Sequence, residues 1–296
     1  MRDMILVVGA TGFLGSSVVA RLARAGRQVR ALVRATSDPA KRDLLTTLGA
    51  TLVEGDLKDA ASLDRACAGV DTVISTASAT LSRGGGDNLE TVDRQGQLNL
   101  VDAAEKAGVR HVIYVSFSGN NEQVFPLSVA KRFVEKRLQS GRVKYTIVRP
   151  SFFMEVWLSP MLGFDPAGGR VRIFGTGDQQ ISMISIPDVA AYVAGCVGNP
   201  ATENQVIELG GPEPMTYNRV TTMFEKALGK PIAREYVPEQ ALEAQFAGAT
   251  DPIDKTLAAL TLGAARGDVI DVGPALQKVP IELTPASAFV ARTTSA

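Results

Sequence analysis

One heptapeptide near the start of the chain restricts the fold more than any other feature: Gly9-Ala10-Thr11-Gly12-Phe13-Leu14-Gly15. It follows a short apolar run at residues 4–8 and precedes residues 16–25, where Val18, Val19, Leu22 and Ala23 recur at helical spacing. Strand, glycine-rich turn and helix in that order allow a tight turn, close approach of a ligand to the backbone, and a helix N-terminus whose free N–H groups face an anion. A turn needing glycine for packing alone would not call for three glycines in this order. Gly9, Thr11, Gly12, Phe13, Leu14 and Gly15 are therefore the expected contacts of a dinucleotide pyrophosphate.

The same rhythm continues. Apolar runs of strand length stand at residues 29–33, 51–54, 72–75, 112–115 and 145–148, short and poorly alternating, as parallel strands buried on both faces are. Helical stripes lie between them, for example Leu89, Val92, Leu98, Val101 and Ala104 within residues 88–107. Gly26, Gly49, Gly69 and Gly108 stand where helices would stop. The expected class is α/β, a doubly wound parallel sheet of the Rossmann type with right-handed crossovers. Residues 1–152 would form the nucleotide-binding domain. After Arg149-Pro150 the rhythm loosens, and residues 153–296 would form a smaller substrate lobe partly woven back into the sheet. Its elements are a strand at 171–174, a helix at 188–197, a strand at 205–209 and helices at 217–228, 238–246 and 252–260, with residues from about Pro285 onward fraying.

Composition removes several chemistries. Thirty-one basic residues balance thirty-one acidic ones, which gives no support to a nucleic-acid or anionic-membrane partner. The balance is uneven, since residues 1–50 hold eight basic side chains and three acidic ones, around the expected phosphate sites. A single histidine and two distant cysteines, Cys67 and Cys196, cannot supply a clustered metal site. A Ser-His-Asp triad would need His111, which opens the fifth strand, at the end of the sheet away from any crevice, and so reads as a surface or strand-start residue. The two thiols fit a reducing, cytoplasmic compartment, and no apolar run near the start approaches the roughly 20 residues of a membrane span.

Ligands of such a sheet bind beyond the carboxyl ends of its strands. The second strand ends Leu32-Val33-Arg34 with no acidic residue. An acid there favours the adenosine ribose of NAD, whereas an arginine accommodates the 2′-phosphate of NADP. Arg34 is thus the expected phosphate ligand, with Lys41 or Arg42 in support, and NADPH the expected cofactor. Asp56 and Leu57 after the third strand would sit beside the adenine, Thr76, Ala77 and Ser78 after the fourth would line the nicotinamide side, and Pro150 and Phe153 would pack against the nicotinamide face.

The fingerprint, Gly55-Asp56-Leu57, residues 114–131 and Tyr145-Thr146-Ile147-Val148-Arg149-Pro150 together resemble the atypical short-chain dehydrogenase/reductase superfamily in its NmrA-like branch. The resemblance covers roughly residues 4–240. Such families place a serine at the end of the fifth strand and a Tyr-x-x-x-Lys pair on the next helix for proton transfer. This chain departs from that pattern: Leu127 stands four places before Lys131, and no tyrosine precedes a lysine by four. Isoflavone reductase-like and phenylpropanoid reductase-like members also lack the tyrosine and keep the lysine, which implies that Lys131 binds the nicotinamide ribose and acts, directly or through water, as acid or base. Burial would then have to lower its pKa. Phe133, Val134 and Leu138 would face inward, with Glu135 within one turn. Ser116 and Ser118 either hold a substrate oxygen or form a plain strand-end turn.

The leading functional expectation is an NADPH-dependent reductase that passes hydride to a carbonyl, enone or quinone-like acceptor in a small hydrophobic or aromatic substrate, as a monomer or homodimer. Phe152, Phe153, Met154, Trp157, Met161, Leu162 and Phe164 would either wall its pocket or pack in a core. The alternative, raised by the missing tyrosine, is a non-catalytic NADP(H)-binding sensor or assembly factor of the same branch.

Overall fold

The computed structural model describes residues 3–80, 85–120 and 123–295. Ten strands are present among them: β1 (Met4–Val8), β2 (Gln28–Val33), β3 (Thr51–Glu54), β4 (Thr72–Ser75), β5 (His111–Val115), β6 (Lys144–Pro150), β7 (Phe164–Asp165), β8 (Arg170–Phe174), β9 (Gln205–Leu209) and β10 (Ala233–Val237). Seven of them form one sheet in the order β3-β2-β1-β4-β5-β6-β9, with every pairing parallel. The order reverses between β1 and β4, which opens a crevice at their carboxyl ends. The expected doubly wound parallel sheet is what the chain forms.

Alternation along β1 explains why both faces are covered. Ile5 and Val7 join one core, with Val18 and Leu22 of the helix Phe13–Arg24 and Val189 and Val193 of the helix Ile186–Gly195. Leu6 and Val8 point the other way, to Leu100, Ala104 and Val134. The helix Ile186–Gly195 and strand β9, both from beyond residue 152, belong to this large sheet. A three-stranded sheet, β10-β8-β7, builds a second centre around Trp157, Phe164, Phe174 and Phe224. Its strand β10 and the short β7 leave no apolar run in the sequence, because β10 is largely exposed and β7 is two residues long.

Four expectations need correction. The end of the chain does not fray at Pro285: Ala286–Thr294 is a helix whose Ala286, Phe289 and Val290 are buried in the second centre. His111 starts β5 as expected but is not a surface residue, being 4% exposed and bonded to Thr146. Phe133 does not face inward; it is 44% exposed, beneath the Arg94 guanidinium. Residues 88–107 are not one regular helix, since the first turn is a wide π segment, Leu89–Arg94, that leads into the α-helix Gln95–Lys106. Among the described residues no helix is long and apolar enough to cross a membrane.

Candidate active site

The glycine turn is shaped by contacts that leave no room for side chains. Gly9 has φ +83°, and a Cβ there would lie 2.8 Å from the Ala77 nitrogen and the Thr76 hydroxyl. A Cβ on Gly15 would lie 2.1 Å from the Gly9 carbonyl oxygen. The Gly12 N–H donates to Gly9 O at 3.0 Å, and the helix that follows has no side-chain cap. Its first N–H groups have no intrahelical acceptor and carry the positive end of the helix dipole. Thr76 donates its hydroxyl hydrogen to Val8 O at 3.1 Å, tying the residue after β4 to the end of β1, where the turn begins. This is a cradle that fits a pyrophosphate.

A cavity of about 990 Å³ runs from this cradle across the carboxyl ends of the strands. Thr11, Gly12, Phe13 and Leu14 line it at one end, and Asp56, Leu57, Thr76, Ala77 and Ser78 line its flank. Gly15 is not among the lining residues and acts through packing beneath the turn. Arg34 and Lys41 also face the cavity, while Arg42 turns aside to Glu54 at 2.8 Å. No local spacing marks what meets Arg34. Asp87, with a side chain 3% exposed, pairs with the Arg34 guanidinium and takes Lys58 Nζ at 2.6 Å.

Lys131 lies in the second turn of the helix Pro126–Ser140 and is 5% exposed. Its ammonium donates to Val115 O at 3.2 Å, stands 3.7 Å from Asp93 Oδ1 and lies over the Tyr114 ring. Burial lowers its pKa, and the neighbouring Asp93 and Glu135 carboxylates oppose that shift. Asp93 is fully buried on the π segment; its Oδ2 accepts from the Ala79 N–H at 2.8 Å, and its Oδ1 has no hydrogen bond among the described residues. The expected neighbour, Glu135, instead accepts from Arg132 at 2.6 Å and pairs with Arg149. Burial pushes the Glu135 carboxyl up, but hydrogen bonds from Arg149 and Ser116, with the Arg132 charge, hold it low overall. Asp93 could not be found from local spacing, because Lys131 lies on another helix 38 positions on.

Ser116 and Ser118 both line the cavity, in different surroundings. Ser116 Oγ accepts from Arg132 at 3.2 Å and belongs to the ion-pair network. Arg132 also grips the Phe117 and Ser118 carbonyls, at 3.3 and 2.8 Å, and so fixes the loop after β5. Ser118 donates to Asp268 Oδ1 at 2.6 Å. Asp268 follows the helix Pro252–Arg266, which brings Leu257, Leu260 and Thr261 to the cavity.

The apolar stretch after β6 divides between the two readings. Pro150, Phe152, Phe153, Trp157 and Leu162 line the cavity. Met154 and Phe164 lie in the second core, and Met161 is 57% exposed and does neither. Trp157 holds its place by edge contacts with Phe152 and Phe174, ring centroids 4.6 and 6.0 Å apart. Among the described residues no cluster of His, Cys, Asp and Glu could hold a metal ion. Both cysteines are buried, with thiols pushed up by burial to about 11 for Cys67 and about 12 for Cys196.

Comparison with known proteins finds relatives along nearly the whole chain. The NmrA-like family matches residues 1–285, well past the part that carries the sequence resemblance. The chain is 33% identical over 283 residues to an isoflavone reductase homolog, IRL, of Zea mays, covering 90% of this chain and 88% of that one. It is 29% identical over 273 residues to the phenylcoumaran benzylic ether reductase Betv6 of Betula pendula, covering 87% and 85%. Among solved structures, the NADPH-dependent quinone oxidoreductase QOR2 of Escherichia coli, complexed with NADPH, superposes with a TM-score of 0.79 at 26% identity, over 98% of this chain and 99% of that one.

Proposed function

The chain belongs to the NmrA-like family, and from that premise we propose that it is an NADPH-dependent reductase of a small, largely apolar substrate with a carbonyl, enone or quinone-like acceptor. The observation that carries this reading is the single continuous cavity. It joins a pyrophosphate cradle, a buried lysine and an aromatic wall, and its volume of about 990 Å³ leaves room for a substrate beside a dinucleotide.

When bound, the cofactor supplies the hydride. The residues of the chain do the rest. Gly9, Thr11, Gly12, Phe13 and Leu14 hold the pyrophosphate with backbone N–H groups, and Gly15 lets helix and turn approach. Arg34, with Lys41, takes the 2′-phosphate; Asp56 and Leu57 flank the adenine; Thr76, Ala77, Ser78, Pro150 and Phe153 bound the nicotinamide end. Lys131 binds the nicotinamide ribose and holds the proton that the reduced substrate takes up, at Nζ, directly or through a water. Asp93 keeps that ammonium charged and aimed, while burial lowers its pKa. Ser116 and Ser118 edge the substrate space, and Phe152, Trp157, Leu162, Leu257 and Leu260 exclude water from it. Residues 1–152 serve as the nucleotide domain and residues 153–296 as the substrate lobe, with β9 and its preceding helix returned to the sheet.

Titration with NADPH and NADH tests the cofactor part. Arg34→Ala removes a charge-assisted phosphate contact of about 1.5 to 3 kcal/mol, so NADPH should weaken by about 10- to 150-fold and NADH little. Equal losses would refute the assignment. Turnover is read from loss of reduced-cofactor absorbance against quinones, enones, aldehydes and phenylpropanoids. Tight NADPH binding with no oxidation, unchanged in Lys131→Ala, would favour the non-catalytic alternative.

A further inference from the structure

Asp268 is a carboxylate 4% exposed on the wall of the cavity, and among the described residues it has no cationic partner. A buried carboxylate without a cation has to be satisfied by hydrogen-bond donors. Here all of them are neutral. Oδ1 accepts from the Ser118 hydroxyl at 2.6 Å and the Asn120 amide at 2.9 Å, and Oδ2 accepts from the Ser151 hydroxyl at 2.5 Å. The backbone is as firmly placed as the side chain: the Asp268 N–H donates to Gln180 O at 2.9 Å, and the Ser182 N–H donates to Asp268 O at 2.8 Å.

This arrangement has a consequence for polarity. A serine hydroxyl has one hydrogen and two acceptor lone pairs. Ser118 and Ser151 both give their hydrogen to Asp268, so each can offer the cavity only lone pairs, as can the carboxylate itself. One patch of wall, contributed by the loop after β5, the end of β6 and the segment after the helix Pro252–Arg266, therefore accepts hydrogen bonds and donates none through these groups. A carbonyl or ether oxygen placed there would face oxygen lone pairs. A hydroxyl or N–H would find a charge-assisted acceptor.

We propose that Asp268, with Ser118 and Ser151, is a specificity-determining acceptor site that binds a hydroxyl group of the substrate. The substrate is then an apolar or aromatic molecule with a free hydroxyl set apart from the group that is reduced. The proposal rests on reading the cavity as the substrate pocket of a reductase, and it assigns a role to a residue near the end of the chain that no spacing in the sequence marks.

Trp157 is the only tryptophan of the chain and lines the cavity, so its fluorescence reports occupancy without any turnover. The protein loaded with NADP+ is titrated with 4-propylphenol and with its methyl ether, 4-propylanisole, which differ in the donor hydrogen and one methyl group. The phenol should bind at least about tenfold more tightly than the ether, the value expected of a hydrogen bond to a charged acceptor. In Asp268→Asn, which keeps the shape and adds an N–H donor, the ratio should fall to within about twofold of one. Asp268→Ala, which removes the acceptor altogether, supplies a second variant with a fall in the same direction, should the first fold poorly. Equal affinities for phenol and ether in the unaltered protein, failure to bind either, or a ratio unmoved by Asp268→Asn would each overturn the proposal. Discrimination without NADPH oxidation on any acceptor would support the site and count against the reductase reading. Oxidation without discrimination would overturn the site alone.

Discussion

Lowering the pH should expose the cost of the one histidine. His111 is 4% exposed, and its Nε2 lies 2.8 Å from Thr146 Oγ1. Thr146 gives its own hydroxyl hydrogen to Thr202 O at 2.7 Å, so its oxygen must accept from the imidazole, which fixes the neutral tautomer with hydrogen on Nε2. Burial pushes the pKa down from 6.5 to about 4; nearby Glu203 opposes this and Lys144 adds to it. The folded state therefore binds a proton less readily than the unfolded chain. This contribution is fully present above pH 6.5, declines as pH falls below that value, and is exhausted below about pH 4. A gap of 2.5 units amounts to roughly 3.4 kcal/mol in all, of which about 2 kcal/mol is gone by pH 5. Denaturant unfolding of the protein and of His111→Gln, across pH 7 to 4, isolates this from titrating carboxylates. Glutamine can donate to Thr146 but does not titrate, so the difference between the two should move by about that amount toward the variant as pH falls. The lone imidazole C2–H resonance gives the pKa directly. A midpoint near 6.5, or a stability difference that does not vary with pH, would refute the argument.

Further outcomes follow from the same contacts. Gly15→Ala forces a Cβ to within 2.1 Å of Gly9 O; opening the turn should cost about 1 to 3 kcal/mol in stability and weaken NADPH more than tenfold in a binding titration, and unchanged affinity would contradict the close-approach role. Lys131→Ala should lower kcat by about 10²- to 10⁴-fold in NADPH oxidation assays. Asp93→Asn removes a charge that raises the Lys131 pKa; the alkaline fall of kcat should therefore move to lower pH, and an unmoved profile would remove Asp93 from any part in holding the proton. Phe289→Ala, at a site 4% exposed in the second core, should cost about 3 to 5 kcal/mol by thermal or denaturant unfolding. A loss near zero would restore the frayed end expected from sequence.

Much of the first half of the sheet was legible because its signals are local. The glycine turn, the strand ends and the helix stripes each sit within one strand–turn–helix unit, where backbone sterics and periodicity act over a few residues. Arg34 could be placed for that reason, as the first residue after β2. Its pairing with Asp87 could not, since that contact joins residues 53 apart. The apolar run after β6 shows the same boundary. Hydrophobicity marked residues 152–164 as buried or pocket-lining, but only packing against β8 and the helix Tyr217–Leu228 decides that Phe164 lies wholly in the core while Trp157, in the same core, also reaches the cavity wall.

By itself, then, the sequence determined the parallel sheet, the glycine turn after its first strand and the place of Lys131 on the helix after β5, because each is written in neighbouring residues whose conformational limits leave few alternatives. The tertiary structure alone decided how the polar groups of the site are partnered. Asp93 faces Lys131 across two helices, and Asp268 gathers Ser118 and Ser151 from 150 and 117 positions away. Burial makes each of these groups depend on a partner, and which partner arrives is settled by the folding of the whole chain rather than by any local pattern.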